Sequence, residues 1–548
     1  MTHPLAGTHP DPATLPRPDE LRQRYLRPEP PLLPVKNGTS GHRGRTGSGF
    51  SELHVAAMTQ ALVDIRQARG TFGPADSDDP ATNLGGRAPG PVVLGKDVRY
   101  TSDFAQETAI DVFAGNGIPV ILHRGDRATP TPVISHTIRA ANQRGENLEG
   151  VILTASHNPP EDAGYKSNGL DGGPNTRTRP IDELANRYLA QPEGIRRRGR
   201  VDAVRQGLVR ELDLIGPYVE ALPRVVDFAP LRGTRFAATP LGGSAWGYYE
   251  AIAAAHGFSI EVLAGEPDPA CRARTYDWDG TLRGDPSSPF VMQAIAGMRA
   301  ELGVPFVGAN DNDADRFGGE DATGLINPNH ALAVLVDALC RSRSFPATMQ
   351  VGRTIGTTHL LDRIAAAHGR TTHEVDVGFK WYVAGLASGR YLLAGEESAG
   401  LSLPCRDGTP WVTEKDGIVA VLLLMETVAR TGKDLGTLYR ELEQQHGAHL
   451  YERADTPATA DKKQRLARLS ADPAEVERRL AGRRVAGRAV EGLVVGDGVK
   501  VVLEGGLWVL KRASGTEDII KDYKEIRDAP LDVARQASRE LDLLLGLA

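Results

Sequence analysis

Four times along the chain a short apolar run of strand length stops at a loop crowded with reactive side chains. Gly150–Leu153 runs into TASHNPP (Thr154–Pro160), and Pro305–Gly308 leads to DNDADRFG (Asp311–Gly318). Tyr391–Ala394 runs into GEESAG (Gly395–Gly400), and Leu507–Leu510 leads to RASGTED (Arg512–Asp518). Short apolar runs bounded by turn residues read as buried strands. In open α/β sheets, ligands gather beyond the carboxyl ends of such strands. A chain built this way has to bring its chemistry to strand ends.

The surrounding pattern agrees. PVVLG, TSDFAQETAIDVFAGNG, IPVIL, TPVISHTIRAAN and EGVILTASHN read strand, helix, strand, helix, strand, the signature of a layered α/β domain with a parallel or mixed sheet. Thr101 or Ser102 is the expected N-cap of the first helix, and Gly115 or Gly117 its stop. RFAATPLGGSAWGYYEAIAAAHG and MQVGRTIGTTHLLDRIAAAHG share one element order, and both end in IAAAHG, at Ile252–Gly257 and Ile364–Gly369. Coincidence in an alanine-rich chain competes with duplication of one unit, and the shared element order favours duplication. After Gln444–Pro457, which has the character of a boundary, charged helices, several strands and a last helix form a tail of another kind, α+β rather than α/β.

The 548 residues suggest about three to five domains. A net charge of −6 gives no global attraction to nucleic acid or anionic lipid, so a phosphate site must be built locally. Cys271, Cys340 and Cys405 lie far apart and suggest neither a disulfide framework nor a zinc knuckle. The start does not read as a signal peptide, and the apolar stretch Ile418–Met425 falls well short of the ~20 residues a membrane span needs. A soluble cytoplasmic protein is expected. Residues 1–34, rich in proline, read as a loose arm or a packing strap, and Thr71–Pro91 as a surface insertion. Pro192–Arg200 reads as a solvated basic connector.

In the first loop Ser156 is exposed at a strand end and His157 follows, but adjacent residues of an extended segment point opposite ways, so His157 need not serve Ser156 as a base. In the second, Asp311, Asp313 and Asp315 can converge on one hard cation. An EF-hand is excluded, because its sixth and twelfth positions would be Arg316 and Ala322 rather than Gly and Glu. Three carboxylates leave positions open for a phosphoryl oxygen, which suits Mg²⁺ at a phosphoryl-transfer site. Glu396 and its glycine neighbours suit sugar hydroxyls. Arg512 can grip a phosphate bidentately, with Ser514, Gly515 and Thr516 as further donors. GPVVLGKD (Gly90–Asp97) fails as a nucleotide loop, since Asp97 stands where Ser or Thr is required.

These four loops, in this order, resemble the α-D-phosphohexomutase family, and KNGTSGHRG (Lys36–Gly44) matches its N-terminal loop. The resemblance covers nearly the whole chain. It implies three similar α/β domains with mixed sheets and a C-terminal α+β domain around a central cleft, divided at 1–205, 206–322, 323–445 and 446–548. It implies a phosphoserine at Ser156, one Mg²⁺ held by Ser156, Asp311, Asp313 and Asp315, and Arg43 and Lys166 beside the reacting phosphoryl group. Lys166 would be the proton acceptor, with His157 orienting the substrate. Thr39, Ser40, Arg316, Gly378, Glu396, Ser398, Lys415, Arg512, Ser514, Gly515 and Thr516 would bind substrate. GEES looks like the glucose-using branch, of bacterial type, with a phosphomannomutase or dual-specificity enzyme as the alternative. The implied reaction interconverts glucose 1-phosphate and glucose 6-phosphate through glucose 1,6-bisphosphate, in a monomer or homodimer with no nucleic-acid or membrane partner. Phe317, Tyr165 and Val377 depart from residues common in the family, and none removes a charge the reaction needs.

Overall fold

A computed structural model describes residues 2–72, 90–514 and 518–548 of the chain. The insertion expected at Thr71–Pro91 lies largely outside them. The first sheet has at its centre Val120–His123, Val92–Lys96, Glu149–Leu153 and Asp162–Asn168, three parallel strands and an antiparallel fourth. The second repeats the order with Ser259–Val262, Arg235–Thr239, Val307–Asn310 and Phe317–Asp321. The third repeats it again with Thr372–Val375, Gln350–Thr354, Tyr391–Glu396 and Gly400–Ser402. The two IAAAHG runs fall in equivalent helices, each between the first and second strands of its unit, and each final glycine is left-handed, at φ 72° and 67°. Strand-for-strand agreement favours duplication over coincidence.

This repeat fixes where the chemistry sits. In every unit the loop joining the third, parallel strand to the fourth, antiparallel strand is one of the three reactive loops. Each turns through one non-glycine residue in the left-handed region: Ser156 at φ 54°, Ala314 at 54° and Ala399 at 68°. The fourth sheet is antiparallel throughout, from His449–Pro457 through Ile519–Arg527, Leu507–Ala513, Val499–Leu503 and Arg488–Val495 to Arg484–Val485. Helices Ala460–Ala471, Pro473–Leu480 and Leu531–Leu545 supply buried side chains to its core. It is the expected α+β unit, and its reactive loop joins Leu507–Ala513 to Ile519–Arg527.

Several expectations change. Val209–Leu212 joins the first sheet beside Val120–His123, and Gly324–Leu325 joins the second, so these units extend a few residues past 205 and 322. Most of Gln444–Pro457 is a nine-residue strand rather than a linker. The arm is a strap: it contains helix Pro18–Leu26, whose buried Tyr25 donates to Thr108 Oγ1 at 2.8 Å. Helix Tyr100–Gly115 is capped by Arg99 without a side-chain bond, because the Ser102 hydroxyl is committed to Asp97 at 2.7 Å. In the basic connector, Arg197 and Arg200 pair with Glu52 and Glu107.

Ile418–Met425 lies in helix Gly417–Thr431, buried at each of its first twelve residues and packed between the second and third sheets. A helix apolar on every face belongs in a protein interior. Asp416 caps it, accepting from Val419 N at 2.9 Å and from the Tyr218 hydroxyl and Trp411 Nε1 at 2.9 Å each. Lys415 is thereby placed at the entry of the most buried helix. Among the described residues no helix is long and apolar enough to cross a membrane.

At the rear of the first sheet, Arg66 and Glu149 form a buried ion pair. Removing one partner of such a pair costs about 3–5 kcal/mol, because the other charge stays buried. Glu149→Ala should lower unfolding stability by that amount in urea denaturation, with little change in the slope.

Candidate active site

Ser156 stands where the first and second units meet. Its hydroxyl donates to Asp311 Oδ2 at 2.7 Å. A side chain in the left-handed region is costly unless the surroundings over-determine it. Here both flanking peptide groups are held. Ser156 N donates to Thr154 Oγ1 at 2.8 Å, and its carbonyl accepts from Arg99 Nη2 at 2.7 Å. The Thr154 hydroxyl in turn donates to Asp97 Oδ2 at 2.7 Å, and Asp97 pairs with Arg99. Arg99 also donates to the Asn158 and Pro159 carbonyls.

Sequence reasoning missed Asp97 and Arg99, treating GKD only as a failed nucleotide loop. The available signal was Asp-x-Arg at the carboxyl end of a buried strand. That strand proves to be the neighbour of the serine strand.

His157 Nδ1 lies 3.4 Å from Ser156 Oγ, and the His157 carbonyl accepts from Gly284 N at 2.9 Å. Burial, then the charges of Arg316 and Arg43, hold its imidazole well below the ordinary range and neutral. It is a neighbour of the serine rather than its base. The hairpin Asn37–Gly38/Gly41–Arg45 lies along Asp162–Asn168, with Arg43 opposite Gly164. A Cβ at Gly41 would collide with the Tyr165 carbonyl and crowd Lys166, so glycine lets the hairpin close on that lysine. Arg43 donates to Asn158 Oδ1 at 3.3 Å.

The carboxylates of Asp311, Asp313 and Asp315 are buried, with one oxygen of each within 4.8 Å of the others. Lys166 Nζ lies 2.6 Å from Asp313 Oδ2 and 3.0 Å from Asp315 Oδ2, and Lys415 Nζ lies 2.9 Å from Asp315 Oδ2. Asp313 Oδ1 and Asp315 Oδ1 are buried without a hydrogen-bond partner. Burial, reinforced by Asp313 and Asp315, pushes Asp311 well above the carboxylate range. Burial acts on Asp315 in the same sense, but Lys166 and Lys415 overcome it and hold that carboxyl below. Orphaned buried carboxylate oxygens, in a set made only of oxygen donors, fit a hard divalent cation.

Lys166, which the family resemblance makes the proton acceptor, is buried, and its pairs with Asp313 and Asp315 outweigh its desolvation and hold its ammonium form above the ordinary range. This arrangement suits a fixed cation beside the reacting group. Arg316 donates from its main chain to Asp311 Oδ1 at 3.0 Å and from its side chain to Asp285 at 2.8 Å.

The GEESAG loop faces the same space. Glu396 Oε1 accepts from Gly378 N at 3.1 Å, and Ser398 lies 3.4 Å from its other oxygen. Gly378 is left-handed at φ 125°, and a Cβ there would sit 3.4 Å from the Thr39 methyl. Thr39 and Gly378 are thus neighbours across two units, and the buried Ser40 hydroxyl has no partner. Lys415 packs against Gly400, bridging the GEESAG and carboxylate loops. Arg512 is held by Asp497, whose amide donates to Asp376 Oδ1 at 3.4 Å, two residues before Gly378. The fourth loop therefore approaches the third. Ser514 N donates to the Ile519 carbonyl at 3.0 Å, while Gly515 and Thr516 lie outside the described residues.

Residues 34–193 match a family model described as phosphoglucomutase/phosphomannomutase, alpha/beta/alpha domain I, and residues 327–446 match domain III of that family. The chain is 38% identical over 540 residues to a phosphoglucomutase of Komagataeibacter xylinus, covering 95% of this chain and 93% of that protein. It is 27% identical to a phosphoglucomutase/phosphomannomutase of Thermococcus kodakarensis, over 80% of this chain and 86% of that one. The fold matches the open form of pp63/parafusin, a phosphoglucomutase of Paramecium, with a TM-score of 0.71 at 21% identity, covering 95% of this chain and 97% of that one.

The Asp97–Thr154–Ser156 chain can be tested by shape-conserving replacement. Thr154→Val should strand buried polar groups and cost about 1–3 kcal/mol in denaturant unfolding, whereas Thr154→Ser, which keeps the hydroxyl, should lose less.

Proposed function

The chain belongs to the phosphoglucomutase/phosphomannomutase family, and on that premise we propose that it interconverts glucose 1-phosphate and glucose 6-phosphate through a phosphoserine at Ser156. The observation that carries the reading is the Ser156 hydroxyl, 2.7 Å from a buried aspartate of a three-carboxylate cluster. The GEES sequence of the sugar loop and the similarity over nearly the whole chain to a phosphoglucomutase favour glucose over mannose.

In this reading the resting enzyme carries phosphate on Ser156. Arg512 and Ser514, with Gly515 and Thr516, grip the phosphate that does not react. Glu396 and Ser398 hold sugar hydroxyls, with Gly378 keeping Glu396 in place and Thr39 and Ser40 lining the opposite wall. The Ser156 Oγ–P bond breaks as a bond forms from phosphorus to O6 of glucose, and the O6 hydroxyl proton ends on the departing Ser156 Oγ. Glucose 1,6-bisphosphate turns end over end, its O1–P bond breaks as the Oγ–P bond is restored, and the Ser156 hydroxyl proton passes to O1, which leaves as the hydroxyl of glucose 6-phosphate. Arg43, Lys166, Lys415 and Arg316 offset charge around the group in flight, the dominant requirement of phosphoryl transfer. Held by Asp311, Asp313, Asp315 and the serine-bound oxygen, one Mg²⁺ would supply electrostatic stabilisation of that group. His157 stays neutral and orients substrate. Exclusion of water protects the phosphoserine.

Ser156→Ala should fold, lose turnover and lose the single phosphate that intact mass finds on the Thr154–Lys166 peptide of the wild type; near-normal mutase activity would refute the carrier role. Equal turnover of mannose 1-phosphate would assign the dual-specificity alternative. Asp313→Asn should lose Mg²⁺ binding in titration calorimetry together with activity.

Glu396 provides a pH signature. Burial raises its carboxyl to about 7 against the pull of Lys415. The ionised form is the better acceptor for sugar hydroxyls, so protonation weakens binding as pH falls through that value. Affinity for glucose 1-phosphate should therefore rise from about pH 6 to pH 8 more steeply in the wild type than in Glu396→Gln, which isolates this carboxyl from the phosphate's own titration.

A further inference from the structure

We propose that Arg274 is a positioning residue for the carboxylate loop and that the N-terminal strap holds it in place. The inference rests on the reading of Asp311, Asp313 and Asp315 as cation ligands.

Arg274 is fully buried, yet its guanidinium is held by neutral acceptors. Nε and Nη2 donate to the Leu241 carbonyl at 2.9 and 2.6 Å, Nη2 also donates to Asn312 Oδ1, and Nη1 has no partner. Burying an arginine on uncharged acceptors is expensive, and the arrangement makes sense through what it fixes. Asn312 lies between two of the three carboxylates. Its main-chain carbonyl accepts from Ser244 N at 2.8 Å, so main chain and side chain are both tied down. A fixed Asn312 sets the direction in which Asp311 and Asp313 leave the backbone. Leu241, the other residue gripped, is itself left-handed at φ 48°.

The segment that carries Arg274 is strapped from outside. Gly7 N donates to the Tyr276 carbonyl at 2.8 Å, Tyr276 N to the Thr8 carbonyl at 3.0 Å, and His3 N to the Trp278 carbonyl at 2.8 Å. The His9 ring reaches the Arg274 carbonyl at 3.2 Å. The strap is anchored to the first unit by helix Pro18–Leu26 packed on Tyr100–Gly115. Farther along, the strapped segment reaches both reactive loops, with Gly284 N on the His157 carbonyl and Asp285 on Arg316. The arm thus closes a ring from the first unit, across the second, to the serine and the carboxylates.

Arg274→Lys keeps the charge but loses the planar fork. Titration calorimetry of the full-length variant with MgCl₂ should show the dissociation constant raised about ten-fold or more. Turnover lost at low Mg²⁺ should return as Mg²⁺ is raised, with KM for glucose 1-phosphate at saturating Mg²⁺ unchanged. His9→Ala, which leaves Arg274 intact and lies far from the ligands in sequence, should shift the dissociation constant the same way by a smaller factor. Should Arg274→Lys fail to fold, Asn312→Ala carries the larger expectation. Folded variants that bind Mg²⁺ like the wild type, even with a lowered Tm, overturn the proposal. A wild type that binds no Mg²⁺, or an Asp313→Asn variant that binds it unchanged, would instead refute the cation reading of the carboxylates.

Discussion

The hydrogen bond from Ser156 to Asp311 joins residues 155 positions apart, on two different sheets. Most of the site depends on that junction. The hydroxyl comes from the first unit and the carboxylate that accepts from it comes from the second, so neither sheet makes the junction alone. The first unit contributes the serine, Arg43 and Lys166; the second contributes the carboxylates and Arg316. Their meeting is fixed to within hydrogen-bond distance, and Lys166 crosses the same boundary to Asp313 and Asp315.

The repeat explains how separate units deliver such loops. A parallel strand followed by an antiparallel one must reverse tightly at its carboxyl end. Side chains in that reversal project beyond the sheet instead of into its faces. Three units with the same strand order present three such reversals, and each turns on a left-handed non-glycine residue. Different chemistry occupies one geometric slot: the Ser156 hydroxyl, three carboxylates able to hold a hard cation, and the Glu396 carboxylate. The fourth unit lacks the slot and approaches through Arg512, Asp497 and Asp376 toward Gly378.

Charge in this interior is kept close to balance. Three buried carboxylates would repel one another strongly at low effective dielectric. Lys166 and Lys415 pair with two of them, the Arg316 main-chain N–H donates to Asp311, and two carboxylate oxygens remain without donors. Lys415 reaches the cluster because Asp416 caps the most buried helix of the molecule at the next position. Helix packing and site electrostatics therefore share one turn of chain.

The four loops were legible in the sequence because each is local: strand, abrupt stop, and side chains of one chemical kind within a few residues. The duplicated α/β pattern and the different tail were legible for the same reason, since periodicity is a property of neighbours along the chain. The resemblance to a known family added the pairing of Lys166, Arg43 and Lys415 with those loops. The cap at Thr101 or Ser102 was misjudged because Ser102 is drawn to Asp97, a partner set by tertiary contact. Asp97 and Arg99 carry meaning only once Val92–Lys96 is known to lie beside the serine strand. Arg274 has no periodic or motif signal, and its acceptors belong to segments 33 and 38 residues away. The sequence by itself determined which loops hold reactive groups and which strands lead to them, because hydrophobic pattern and turn chemistry act over a few residues. Only the tertiary structure decided that Ser156 meets the carboxylates, that Lys166 pairs with two of them, and that a proline-rich arm straps the segment that runs on to both loops. Those outcomes come from burial and hydrogen bonding between distant segments, which sequence spacing does not encode.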